Sequence, residues 1–346
     1  MTTMKAAIVE RPGVLAVREV PQPEPGEYQA LCELLYGATC TGTDQHLIAG
    51  RFPWPPKYPA ILGHESIGRV IALGRGVRNL KVGDLVTRVG TPALPQAGLD
   101  ICWGGFAEFG LATDFRAMQE DGLPAARWGG ARVNRVIPAD FDPAAATMVI
   151  TWRETLSYFT RMGVGAGQSV LVVGSGGNGL AFVAHAANTG AVPVAMVGNA
   201  DRLHVARAAG AIFAFDYKAD DLDRQIAAAM PDGFDFIIDA VGKKGLLDRA
   251  LPWLRSGGTV GLYGIDDFGQ CVVNPTRARG SFTFSNKGYD EPETHDRVVD
   301  LVAQGKLDAA LWLDLAHPFP LAEIAKAFEA VRAKKMVKAV VKLRAT

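Results

Sequence analysis

The stretch "SVLVVGSGGNGLAFVAHAANTGA", residues 169–191, constrains the fold more than any other part of the chain. An apolar, β-branched run ends in a glycine turn, and a small-residue helical pattern follows at once. Gly174, Gly176 and Gly179 form G-x-G-x-x-G in the strand–turn–helix setting that gives this pattern its meaning. Gly174 permits the tight turn, Gly176 lets a pyrophosphate approach the backbone, and Gly179 lets helix and strand pack closely. With Gly177 and Asn178, the turn presents free N–H groups at a helix N-terminus to an anion. A dinucleotide is the ligand that this geometry suits.

Strand-like "VPVAMVG", "FDFIIDAVG" and "TVGLYGI" alternate with helical "DRLHVARAAGA" and "LLDRALPWLRSGG". Such alternation implies parallel βαβ units with both sheet faces covered. Residues 1–115 have a different texture. Short apolar runs ("KAAIV", "QALCELLY", "DLVTRV") are broken by Gly and Pro every few positions, which predicts an irregular β-rich unit. "TPALPQAGLDICWGGF", 91–106, reads as a loop. After about residue 288, two helices and a last strand, "KAVVKL", are predicted. The 346 residues suffice for two domains.

Charge narrows the function. Thirty-six basic residues balance thirty-six acidic ones, and no basic stripe appears, so nucleic acid is not an expected partner. No apolar run approaches the roughly 20 residues that span a bilayer. The opening "MTTMKAAIVERPG" lacks the apolar stretch of a signal peptide, and a cytoplasmic location is expected. None of Cys32, Cys40, Cys102 and Cys271 lies in a C-x-x-C pair, so neither a disulfide framework nor a Cys-rich zinc knuckle is suggested. Cys32 and Cys271 read as buried free thiols.

The second strand bears on which dinucleotide is bound. An acid about 20 positions after the glycines would accept the ribose hydroxyls of NAD. Here "AMVGNADR" puts Val197, Gly198 and Asn199 in that place, and Asp201 comes late. The missing acid removes a repulsion against a 2′-phosphate, which Arg202 can approach, whereas Asn199 equally suits a hydroxyl. The reading leans to NADP over NAD.

"YPAILGHESIGRVIALGRGV", 58–77, sets His64 beside Glu65. Neighbours on a strand point to opposite faces, so the two share one ion only if Gly63 bends the backbone. Cys40, in "GATCTGTDQHLIAGRF", is the third candidate donor. One thiolate, one imidazole and one carboxylate suit zinc, and three protein ligands leave a position for water or substrate. From spacing alone, a buried His–Glu pair without a metal stays equally open.

"GHESIGRVIALGRGV", "VRNLKVGDLV", "GGFAEF", the Gly174 turn and "FPLAEIAKAFEAV" follow one another in an order that resembles the zinc-containing alcohol and polyol dehydrogenases of the medium-chain dehydrogenase/reductase superfamily. The resemblance spans essentially the whole chain. It implies an α/β protein with a GroES-like, β-rich catalytic domain, 1–148 and 287–346, and a Rossmann doubly wound coenzyme domain, 149–286. The activity implied is zinc-dependent hydride transfer between an alcohol (a polyol, sugar or secondary alcohol) and NAD(P). Cys40 and His64 match the family's metal ligands, and Glu65 its glutamate, which binds directly or from behind depending on the subgroup. Asp44 would orient His64, and Thr43 would pass the alcohol proton outward with His46 as relay. This chain has two residues, Thr41 and Gly42, where the family has one, so Thr41 is the alternative hydroxyl.

Two further departures matter. Ile150 stands where relatives carry another ligand. Glu154, one helical turn on, either reaches the metal directly or through water, or is an exposed acid or a partner for Arg153. No four-cysteine cluster is present, so one zinc per subunit is expected. Trp54, Trp103 and Trp152 line a substrate cleft or pack in cores. His185 reads as packed, and His204, His295 and His317 as surface residues. A homodimer or homotetramer is expected, with an edge strand from the "TVGLYGI" to "SFTFSN" region. The competing readings are a zinc-free enone or quinone reductase of the same superfamily and a non-catalytic nucleotide-binding protein.

Overall fold

The structure is a computed structural model that describes residues 2–344. The chain forms two compact units, Met1–Ile150 with Trp312–Thr346, and Thr151–Leu311.

In the second unit, the apolar runs Val170–Val173, Val194–Gly198 and Phe234–Asp239 are almost wholly buried, as strands covered on both faces must be. They join Phe213–Asp216, Leu254–Leu262 and Thr283–Ser285 in one sheet, every neighbouring pair parallel. Counted along the chain, the spatial order is 3-2-1-4-5-6, the doubly wound order. The order reverses between Val170–Val173 and Phe234–Asp239, and a ligand crevice belongs at their carboxyl ends.

The first unit holds a four-stranded and a seven-stranded sheet. Its central strand, Gln29–Ala38, pairs antiparallel with Glu65–Leu73, with Phe109–Thr113 and with Val340–Lys342. The register sets Ala38 opposite both Glu65 and Val340. Three segments distant in sequence are thereby drawn to one place: the loop after Ala38, the start of the Glu65 strand and the residues before Val340. Beneath them, Phe106 meets Phe328 of the helix Ile324–Arg332 edge-on at 6.0 Å.

Several expectations need correction. The chain returns to the first unit at Trp312, not at residue 287. The intervening segment stays with the second unit because Glu291 and His295 both engage the guanidinium of Arg153, which is fully buried on the helix Met148–Met162. For the same reason His295, expected at the surface, is only 3% exposed. The 91–106 loop contains a short strand, Asp100–Ile101, parallel to Ala60–Ile61. Cys271, expected to be buried, is exposed. No helix among the described residues is long and apolar enough to cross a membrane.

Candidate functional site

The backbone bends at Gly63, with φ +106°. A Cβ there would lie 2.6 Å from the backbone nitrogen of Phe106, so only glycine fits. The strand begins one residue after His64, at Glu65. The opposite-face rule therefore does not separate this pair. One donor atom from each of Cys40, His64 and Glu65 lies within 4.8 Å of the others, and all three residues are buried.

Buried charges surround this set. Asp44 places Oδ1 3.3 Å from Nδ1 of His64, and its Oδ2 accepts a hydrogen bond from the Cys40 amide at 2.8 Å. Nε2 of His64 is then the nitrogen nearer Glu65, 3.7 Å from Oε1. The Lys338 ammonium closes on Oε2 of Glu65. Lys338 is delivered by the chain stitching around it. Thr39 and Ala339 exchange hydrogen bonds at 2.9 and 3.0 Å, and the Thr41 hydroxyl donates to the Val337 carbonyl at 3.3 Å.

Burial works against a charge on His64, yet Asp44 and Cys40 outweigh it and hold its pKa well above the ordinary value. Burial likewise opposes the Lys338 charge, and Glu65, Cys40 and Asp44 together raise its pKa on balance. A thiol, an imidazole and a carboxylate packed this closely out of water, with another carboxylate behind the imidazole, form a donor set that fits a borderline-soft divalent ion such as zinc.

Around the centre, Thr43 opens the helix Thr43–Ile48 and is half-buried. His46 lies on that helix and is buried, with Nδ1 donating to the Gly42 carbonyl at 2.7 Å. The ring of Trp103 lies 5.1 Å from that of His64, and Phe52 stands edge-on to Trp103 and to Trp54. Trp103 and Trp54 are 42% and 66% exposed, whereas Trp152 is buried. Glu154 is only 8% exposed, which removes its reading as an exposed acid, and the guanidinium of its neighbour Arg153 engages Glu291 and His295. Lys338 was not anticipated. The signal available was a lysine leading into the apolar run "AVV".

At the coenzyme turn, each glycine has a separate reason. Gly174 has φ +116°, and a Cβ on Gly179 would lie 1.9 Å from the Gly174 carbonyl oxygen. A Cβ on Gly176 would meet nothing within 4 Å, so the backbone there is open to an approaching ligand. Gly177 and Asn178 begin the helix Gly177–Thr189 with no side-chain cap. On the second strand a Cβ at Gly198 would lie 2.4 Å from Cβ of Ser175, which leaves no room for an acid. The Asn199 amide donates to Ser175 Oγ at 2.9 Å, and Arg202 Nη1 donates to the Ser175 carbonyl at 3.0 Å.

Residues 26–124 match the family described as alcohol dehydrogenase GroES-like domain, and residues 177–303 match zinc-binding dehydrogenase. An alcohol dehydrogenase of Rhizobium meliloti (strain 1021) is 30% identical over 349 residues, covering 90% of this chain and 99% of that protein. The chain belongs to the zinc-binding alcohol dehydrogenase family of the medium-chain dehydrogenase/reductase superfamily. A second family member, L-galactonate-5-dehydrogenase of Escherichia coli (strain K12), is 29% identical, covering 99% of each chain. Among solved members, a zinc-binding dehydrogenase from Sinorhizobium meliloti 1021 with NADP bound superposes with a TM-score of 0.79 at 25% identity, covering 99% of this chain and 100% of that one. The GroES-like and Rossmann folds implied by the sequence are those of this family.

Proposed function

We propose that the protein is a zinc-dependent alcohol dehydrogenase that passes a hydride between a polyol, sugar or secondary alcohol and NAD(P). The observation that carries this reading is the buried Cys40–His64–Glu65 donor set, with Asp44 behind the imidazole. When bound, zinc lowers the pKa of an alcohol oxygen and stabilises it as an anion, and nicotinamide accepts the hydride.

The chain's own residues do the rest. Cys40 and His64 hold the ion. Asp44 fixes the ring and tautomer of His64, so that Nε2 is the ligating nitrogen. Glu65 is the preferred carboxylate ligand, supported by its closeness to Cys40 and His64, and Glu154 is the second candidate, separable by metal analysis of Glu154→Gln. Thr43 takes the proton from the alcohol, because the Thr41 hydroxyl is already spent on the Val337 carbonyl. His46, with its proton on Nδ1, is suited to receive at Nε2 and pass the proton outward.

The Gly174–Gly179 turn cradles the pyrophosphate. Asn199 and Arg202, with no acid at the end of the second strand, favour NADP. The unit Met1–Ile150 with Trp312–Thr346 acts as the catalytic domain and Thr151–Leu311 as the coenzyme domain. Thr283–Ser285 ends its sheet with an open edge that suits pairing with a second copy, giving a homodimer or homotetramer. A cytoplasmic location accords with the absence of disulfide-like cysteine spacing.

Metal analysis and a substrate panel test this together. Purified protein should hold one zinc per subunit and reduce NADP or NAD with polyols or secondary alcohols. Cys40→Ser and His64→Ala should each lose both the zinc and the turnover. Unimpaired turnover in both variants would sink the proposal, and metal-independent enone reduction would replace it.

A further inference from the structure

Neither the metal centre nor the glycine turn uses Asp239. It ends the fourth strand of the doubly wound sheet, in register with Val173 of the first, at the reversal of strand order. The residue is buried. Its Oδ1 accepts from the Val241 and Gly242 amides, both at 2.9 Å, and its carbonyl accepts from the Tyr263 and Gly264 amides at 2.9 and 3.0 Å.

The Asp239 side chain thus fixes the turn 240–242, its backbone carbonyl receives the turn 263–264, and the turns touch. A Cβ on Gly242 would lie 2.2 Å from the Gly264 oxygen, and one on Gly264 would lie 1.9 Å from the Val241 carbonyl carbon. Val241 leans on the coenzyme turn in its own right, since a Cβ on Gly174 would lie 2.7 Å from its Cγ2.

Oδ2 of Asp239 and the buried hydroxyl of Tyr158 meet no hydrogen-bond partner among the described residues. Tyr158 stands edge-on to Tyr263 at 5.1 Å. Burial raises the pKa of Asp239, and burial together with Asp239 pushes Tyr158 up to about 12. Buried polar atoms without partners are few in native proteins and call for a reason.

A dinucleotide straddles the strand reversal, with one half over strands one to three and the other over strands four to six. We infer that Asp239 is a coenzyme-positioning residue that sets the two turns carrying the nicotinamide half, while the adenine half is left to the Gly174 turn. The inference rests on the reading that the Gly174 crevice holds NAD(P).

The test titrates full-length, zinc-loaded protein by tryptophan fluorescence with two ligands. One is the better bound of NADH and NADPH, and the other is the matching adenine half, ADP or its 2′-phosphate, which lacks both nicotinamide and the ribose that carries it. Asp239→Ala should weaken binding of the whole coenzyme by about tenfold or more, as expected when the 240–242 turn, against which 263–264 packs, loses two hydrogen bonds to a charged acceptor. It should change binding of the fragment by less than about twofold, a difference within the scatter of an untouched contact. Asp239→Asn, which retains an acceptor oxygen toward the two amides, should restore most of the loss.

Equal weakening of both ligands, or full coenzyme affinity in a folded Asp239→Ala protein, overturns the inference. Should that variant fail to fold, Asp239→Glu keeps the charge and displaces the acceptor by one methylene. The same split is then expected, and its absence overturns the inference as well. If the unsubstituted protein binds neither ligand, the coenzyme reading fails and takes the inference with it. If it binds both and every Asp239 variant does so equally, the inference alone fails.

Discussion

Lys338 meets Oε2 of Glu65 with both side chains out of water, each 1% exposed. An ion pair this deep is costly to break from one side, because the remaining charge stays buried without compensation. Lys338→Met should lower the stability of the metal-free protein by about 3–5 kcal/mol. Zinc should recover part of that loss, since the ion supplies positive charge to the same carboxylate. Urea unfolding with and without zinc measures both effects, and an unchanged midpoint in the metal-free protein would count against the pair.

Asp44 has two tasks, facing Nδ1 of His64 and capping the Cys40 amide. Asp44→Asn keeps the shape and removes the charge. Zinc affinity should fall by about 10–100-fold, the range for carboxylates behind a ligating histidine. Competition with a chromophoric chelator reads this directly, with no need for a substrate.

Gly179 has no space for a methyl group, its Cβ position lying 1.9 Å from the Gly174 oxygen. Gly179→Ala should force helix and strand apart, costing about 1–3 kcal/mol as overpacking does. Coenzyme affinity should drop while zinc content stays at the unsubstituted level. Loss of zinc without loss of coenzyme binding would contradict the assignment of the turn.

The end of the second strand carries no negative charge at Gly198 or Asn199. Asn199→Asp adds an acceptor for ribose hydroxyls and a repulsion against a 2′-phosphate. The ratio of kcat/KM for NADP to that for NAD should fall by about tenfold or more, equivalent to roughly 1.4 kcal/mol of discrimination. A ratio that stays constant or rises refutes the role given to this position.

His185 offers a test of stability against pH. Burial presses its pKa down to about 3, and Nε2 lies 2.9 Å from Thr155 Oγ1. Thr155 donates its own proton to the Thr151 carbonyl, so Nε2–H donates to the hydroxyl and the ring is neutral. The unfolded chain protonates this histidine near pH 6.5 and the folded protein does not, so acid favours unfolding. Its contribution is complete above about pH 6.5 and falls by about 1.4 kcal/mol per pH unit from there toward pH 3. Metal-free His64, with its pKa raised, opposes this slope where the unfolded chain titrates, but both proteins carry it and it drops out of their comparison. Between pH 6.5 and 5, His185→Gln should flatten the dependence of the urea midpoint on pH. Equal slopes in the two proteins would show that His185 is not the group responsible.

What could be read from the sequence was whatever depends on residues a few positions apart. The three glycines 174, 176 and 179 state their backbone requirements locally, and Gly63–His64–Glu65 forms one bend with two donors. The period of the apolar runs fixed the parallel sheet. Which distant side chains would meet was a matter of pairing register. Ala38 lies opposite both Glu65 and Val340, and that register brings Lys338 under a carboxylate far away in the chain. His295 lies inside because Arg153 and Glu291 are there to receive it, and an isolated histidine in "ETHDR" carries no trace of either. Asp239 reads as an acid closing an apolar strand, and only the packing of two turns around it gives the acid a task. A chain's local pattern sets backbone conformation because the relevant forces act within a few bonds. Burying a charge depends on a partner that only the folded chain supplies.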